Sequence, residues 1–133
     1  MNVNAKPLSE LRRLEQYLTA ASTPFTCAPQ QLITSDEWNE PCTIVLQTGV
    51  IEVYRTTDEL LVGIATAPFI FGLSTVVINH SHEYRVIAKT ACTGFYLPTE
   101  TTRQLIQQYS LWKEAFCWLS WITYILEKRD KQL

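Results

Sequence analysis

A chain of 133 residues is long enough to bury one real core and is expected to form a single domain. With 47% hydrophobic and 18% charged residues it is globular rather than disordered, and apolar enough that part of its surface is expected to be shared with a partner. A formal net charge of −2 argues against this segment itself being a nucleic-acid binder; there is no basic-then-apolar leader, and no apolar run approaches the roughly 18 residues of a membrane span, so a soluble, cytoplasmic protein is expected.

The first element is an amphipathic helix over 8–18, opening near Pro7 and Ser9. Leu8, Leu11, Leu14 and Leu18 recur at three- and four-residue steps while Glu10, Arg12, Arg13 and Glu15 fill the other face. From 23 to 97 the texture changes to short β-rich runs cut by punctuators: 25–28, 32–34, 43–47, 50–55, 60–65, 84–88 and 93–97. Strands at such spacing predict a sandwich or barrel. Thr56, Thr57, Asp58 and Glu59 read as a hairpin tip, with Val50, Glu52 and Tyr54 alternating against Ile51, Val53 and Arg55. The apolar run before Gly72 reads as a further strand, followed by a polar loop over 79–83. Thr99 is placed as the N-cap of a short helix to 109, with Leu105 and Ile106 inward. A longer helix follows over 111–132. Trp112, Ala115, Leu119, Ile122 and Leu126 are spaced three and four apart, the stripe of a helix that pairs with a copy of itself, and Phe116, Trp118, Trp121 and Ile125 add apolar surface. The same pattern also suits a terminal helix packed wholly on the sheet.

Cys27, Cys42, Cys92 and Cys117 are scattered, with no CxxC and no zinc-type cluster, and read as small buried hydrophobes. His80 and His82 are the chain's two histidines. They supply part of a metal or haem site at most and otherwise read as polar loop residues. A metal-dependent cupin needs further ligands, and neither Cys92 nor Cys117 has a local base, so no catalysis is expected.

Helix, antiparallel β-roll, short helix and long apolar helix is the element order of the Crp/Fnr-type effector domain, which this chain resembles over nearly its whole length. APFIFG at 67–72 looks like the family's glycine-ended strand before the phosphate-binding cassette, and IAKTACTGFYLPTETTRQLIQ at 87–107 is similar to the closing strands and short helix of the cyclic-AMP receptor protein. LWKEAFCWLSW and LEKRDKQL look most like the enterobacterial branch named for inhibition of hydrogen peroxide resistance. The resemblance implies a mainly β fold with flanking helices: a jelly roll of the cyclic-nucleotide-binding type, an N-terminal helix and a long C-terminal dimerisation helix. It implies a homodimer that meets DNA only through a winged helix expected beyond residue 133.

Carried over residue by residue, the family's cassette is incomplete. Leu73 follows Gly72 and precedes Ser74; the family has a glutamate for the ribose at the Leu73 position, and Leu73 cannot accept that bond. The phosphate-holding Arg-Ser/Thr-Ala run falls on His82, Glu83 and Tyr84. Glu83 would set a carboxylate beside a phosphate, Tyr84 would crowd the pocket, and Arg85 lies off register, since neighbouring strand positions point to opposite faces. Cyclic AMP is therefore not expected to bind, and an iron–sulfur cluster lacks its cysteines, only Cys27 preceding the main β region. No cofactor is expected; the occupant of the roll is left open between an unidentified small molecule, a thiol modification and nothing. A ligand-free dimerisation or protein-interaction module, its pocket filled by Leu73 and Tyr84, is the alternative.

Overall fold

Leucines at three- and four-residue steps fold the start of the chain into α1 (Leu8–Leu18), and the computed structural model, which describes residues 5–33, 41–78 and 84–127, buries Leu11, Leu14 and Leu18 completely. Leu8 departs from the expected stripe: it lies in the first turn and is 43% exposed. A 3₁₀ turn (Thr19–Ala21) leads into β1 (Thr23–Cys27). There follow β2 (Cys42–Thr48), β3 (Val50–Arg55), β4 (Leu60–Thr66), β5 (Phe69–Phe71), the short helix α2 (Leu73–Ile78), β6 (Tyr84–Ala88), β7 (Cys92–Pro98), α3 (Thr99–Gln108) and α4 (Trp112–Glu127).

The strands form two antiparallel sheets, β1-β7-β2-β5 and β4-β3-β6. Period-two alternation sets the faces: Ile51 and Val53 of β3 and Val86 and Ala88 of β6 are buried, whereas Glu52, Arg85 and Ile87 turn the other way. At the β3–β4 tip Arg55 pairs with Asp58 at 2.6 Å, and Glu59 takes a φ of 57°. The strand expected over 32–34 is reduced to one bridge, Leu32 to Ile87, flanked by hydrogen bonds from Gln30 N to Ala88 O and from Ile33 N to Val86 O; Thr34 lies outside the described residues. Here the chain leaves the first sheet and runs along the edge of the second.

Thr99 is a correction. It is the first helical residue of α3 rather than its N-cap, because Pro98 already occupies the capping position with an extended ψ of 145° and no side-chain bond is made there. The face of α3 that packs inward carries Thr102 and Ile106, and Thr102 donates across to the Thr43 hydroxyl of β2 at 2.8 Å. The core gathers α1, α4 and both sheets around Phe69 and Trp118, whose rings meet edge to face at 5.1 Å. Among the described residues no helix is long and apolar enough to cross a membrane.

Candidate functional site

The stretch between β5 and β6 begins with Gly72. Its φ is +102°, and a Cβ there would stand 2.9 Å from the Cys42 carbonyl oxygen, so both conformation and space demand glycine. The chain then turns at once into α2, which buries Leu73 and Val76 and turns Ser74 and Val77 outward. Arg103 of α3 holds the end of this helix. Its guanidinium donates to Val76 O at 3.2 Å and Thr75 O at 3.3 Å while pairing with Glu100, satisfying carbonyls that a helix end leaves open.

Sequence reading passed over α2, because Thr75, Val76, Val77 and Ile78 are β-branched and favour strands. The usable signal was the repeat at three: Leu73 with Val76, and Ser74 with Val77.

Of the pocket candidates, Leu73 is 1% exposed within the core. Tyr84 opens β6 on the same face as Val86 and Ala88, half-buried, with its ring edge-on to Phe71 at 6.0 Å, so the two flanks of the cassette are joined by an aromatic contact. Ser74 does not join them: it lines the groove between α2 and α4. Arg85 faces outward, its guanidinium over the Tyr54 ring at 5.9 Å and paired with Glu59 of the hairpin. Its Nε is buried without a hydrogen-bond partner. His80, His82 and Glu83 lie outside the described residues, and among the described residues no three His, Cys, Asp or Glu side chains are grouped to hold a metal ion.

The expected interface stripe on α4 is rotated. Ala115 is fully buried in the chain's own core, together with Leu111, Trp118, Trp121 and Ile125, so it is not available to a partner. The rotation has a local cause: the Trp118 indole donates to the Ile70 carbonyl of edge strand β5 at 2.9 Å, and that bond fixes which side of α4 faces the sheet. Trp112, Leu119 and Ile122 are half-buried, and Phe116, 53% exposed, takes the outward place that the stripe had given Ala115. The Leu126 side chain lies outside the described residues, as do residues 128–132 of the expected helix. Phe116 and Leu119 line the α2–α4 groove, about 430 Å³, together with Ser74, Ser120 and Thr123.

Charges tie the helices to the roll. Glu114, 9% exposed, meets Arg13 of α1 at 3.3 Å through one carboxylate oxygen, while the other is buried without a partner. Lys6 donates to the Thr66 and Pro68 carbonyls at 2.7 and 3.1 Å, and burial pulls its ammonium below the usual lysine range. The four cysteines form no disulfide, and burial pushes the Cys27, Cys92 and Cys117 thiols up.

Residues 27–109, from β1 through the cassette to the end of α3, match the cyclic nucleotide-binding domain family. The chain belongs to that family. It is 40% identical over 130 residues to the inhibitor of hydrogen peroxide resistance of Salmonella typhimurium, a match that takes in 97% of this chain and 62% of the relative; the chain thus spans less than two thirds of that protein. In structure it is similar to the sensor domain of the transcriptional regulator DNR from Pseudomonas aeruginosa, with a TM-score of 0.64 at 16% identity over 90% of this chain and 85% of that one. It is also similar to the c-di-GMP responsive global regulator CLP of Xanthomonas campestris, with a TM-score of 0.64 at 19% identity over 89% of this chain and 58% of that one. The roll and its flanking helices are the Crp/Fnr-type cyclic nucleotide-binding fold.

Proposed function

We propose that this domain is the regulatory part of a Crp/Fnr-like transcription regulator that does not respond to cyclic AMP. The observation that carries this reading is the pairing of a cyclic nucleotide-binding fold with an apolar residue after Gly72: Leu73 is 1% exposed, and Tyr84 stands against Phe71. Leu73 offers a ribose hydroxyl no acceptor, and Arg85, the nearest described cation in sequence, faces away and is held by Glu59. The domain works without a resident cofactor and without catalysis, in the cytoplasm, as a homodimer paired through the outward face of α4 at Trp112, Phe116, Leu119 and Ile122. Contact with DNA belongs to a separate domain. A change at the roll biases how the paired helices sit, a two-state element shifted by differential interaction.

The test is thermal unfolding with millimolar cyclic AMP or cyclic GMP, and no shift is expected. Ligand at 100 times its dissociation constant adds about 2.7 kcal/mol, so a rise of several degrees would overturn the reading. The second reading is a ligand-free dimerisation module, favoured by the burial of Leu73; a ligand-dependent shift with any other small molecule separates the two.

A further inference from the structure

The β1–β7 ladder sets Cys27 directly opposite Cys92. Residues so opposed share a face of the sheet, with Cα atoms about 4.5 or 5.5 Å apart. Both values fall inside the span of about 4.4 to 6.8 Å that a disulfide bridges. The neighbouring pair shows the same shared side: the Phe25 ring lies 3.0 Å from where a Gly94 Cβ would stand. Cys42 opposes Pro98 and Cys117 lies on α4, so in the described ladders no other two cysteines face one another.

We propose that Cys27 and Cys92 form a reversible dithiol–disulfide pair, closed by a hydroperoxide, that locks the corner between the two sheets. Cys27 is half-buried and gives the oxidant its entry, while Cys92 is 1% exposed. The Cys27 sulfur attacks the peroxide and breaks the O–O bond, giving a sulfenic acid and the alcohol, or water when the oxidant is hydrogen peroxide. The Cys92 sulfur then attacks the sulfenic sulfur, forms the S–S bond and expels water. Two thiols lose two electrons and two protons, and the peroxide is reduced. Before closure the Cys92 Sγ lies 3.3 and 3.4 Å from the Thr90 and Val50 carbonyl oxygens, so a χ1 rotation toward β1 exchanges two weak contacts for the bond. Burial holds both thiols up, which suits a slow response to accumulated oxidant rather than rapid peroxide turnover.

The consequence follows from position. Immediately after Cys27 the chain crosses to β6, where Gln30 N donates to Ala88 O and Ala88 N to Gln31 O, and Cys92 lies four residues beyond Ala88. The crosslink would therefore clasp the strand that leaves the cassette. This goes beyond the reading above and does not depend on whether a nucleotide binds.

The experiment uses the 133-residue chain, reduced, exposed to hydrogen peroxide, and then alkylated in denaturant for peptide mapping. The expected result is the loss of two hydrogens, one crosslinked pair containing Cys27 and Cys92, recovery of all four thiols with dithiothreitol, and an oxidised melting temperature higher by roughly 10 °C. Cys27→Ser, or Cys27→Ala if the first fails to fold by circular dichroism, removes the crosslink, and Cys42→Ser with Cys117→Ser retains it. Four alkylatable thiols after peroxide, a crosslink through Cys42 or Cys117, or over-oxidised Cys27 with no crosslink overturns the proposal.

Discussion

Trp118 and Phe116 stand two residues apart on α4, yet the indole is fully buried and the phenyl ring is 53% exposed. Both faces of the helix carry large aromatic and aliphatic side chains, so hydrophobicity by itself does not orient it. What separates them is a polar atom. The Ile70 carbonyl of edge strand β5 needs a donor, and the Trp118 N–H supplies it at 2.9 Å while the ring packs on Phe69 at 5.1 Å and Trp121 at 5.3 Å. Phe116 offers no such bond and is left with Trp112, 6.3 Å away, on the outward side. One face of α4 therefore belongs to the subunit, and the other is the surface proposed for its partner.

The sharpest way to break this contrast is Trp118→Ala. Emptying the volume of a fully buried indole should destabilise the subunit by about 3–5 kcal/mol in urea unfolding. Trp118→Phe, which keeps most of the ring but leaves the Ile70 carbonyl without its donor, should cost about 1–3 kcal/mol. A loss below about 1 kcal/mol in the alanine variant would mean that α4 can turn over its other face.

Phe116→Glu and Leu119→Glu probe the outward side. Phe116→Glu should change subunit stability by about 0.5 kcal/mol or less and Leu119→Glu by more, because Leu119 also packs against the core, yet each should remove about 1.5–3 kcal/mol of association per buried side chain, read by light scattering at tens of micromolar with circular dichroism for folding. Phe116→Glu is the cleaner probe, because Leu119 and Ile122 both also pack against the core. Dimers that survive both charges would retire this face as the interface.

Smaller effects sharpen the inward side. Arg13→Ala leaves the Glu114 carboxylate, 9% exposed, without its cation, and should cost about 1 kcal/mol; the half-exposed arginine keeps the effect modest. The least effect is expected far from α4, at the exposed hairpin tip. The Arg55 hydrogen bond holds the Asp58 carboxyl below its usual range, so the pair's contribution is present above the ordinary aspartate value of 3.8 and is lost as pH falls through the lower folded value. Asp58→Asn should accordingly melt slightly below the unsubstituted chain at pH 7, with the gap closing below about pH 4 and shrinking in high salt.

Local pattern was legible where a segment has one buried face and regular spacing. Leu11, Leu14 and Leu18 announce α1, and the alternation of Ile51 and Val53 with Glu52 and Tyr54 announces β3. It failed at α2, where β-branched residues were drawn into a helix by the Gly72 turn, the burial of Leu73 and Val76, and the cap that Arg103 supplies from α3. In the candidate site, the residue types at Leu73 and Tyr84 were readable one by one, but the outward turn of Ser74 and the Phe71–Tyr84 contact were not.

By itself the sequence determined the order of the elements apart from α2, the mainly β class, and an apolar residue after Gly72, because these depend on spacing and residue type along the chain. Tertiary structure alone decided which side of α4 is buried, that Ala115 belongs to the core and Phe116 to the surface, and that Cys27 stands opposite Cys92. Each of those outcomes depends on register between segments distant in sequence, where a rotation of a helix or a slip of one strand residue changes every neighbour while leaving the local pattern unchanged.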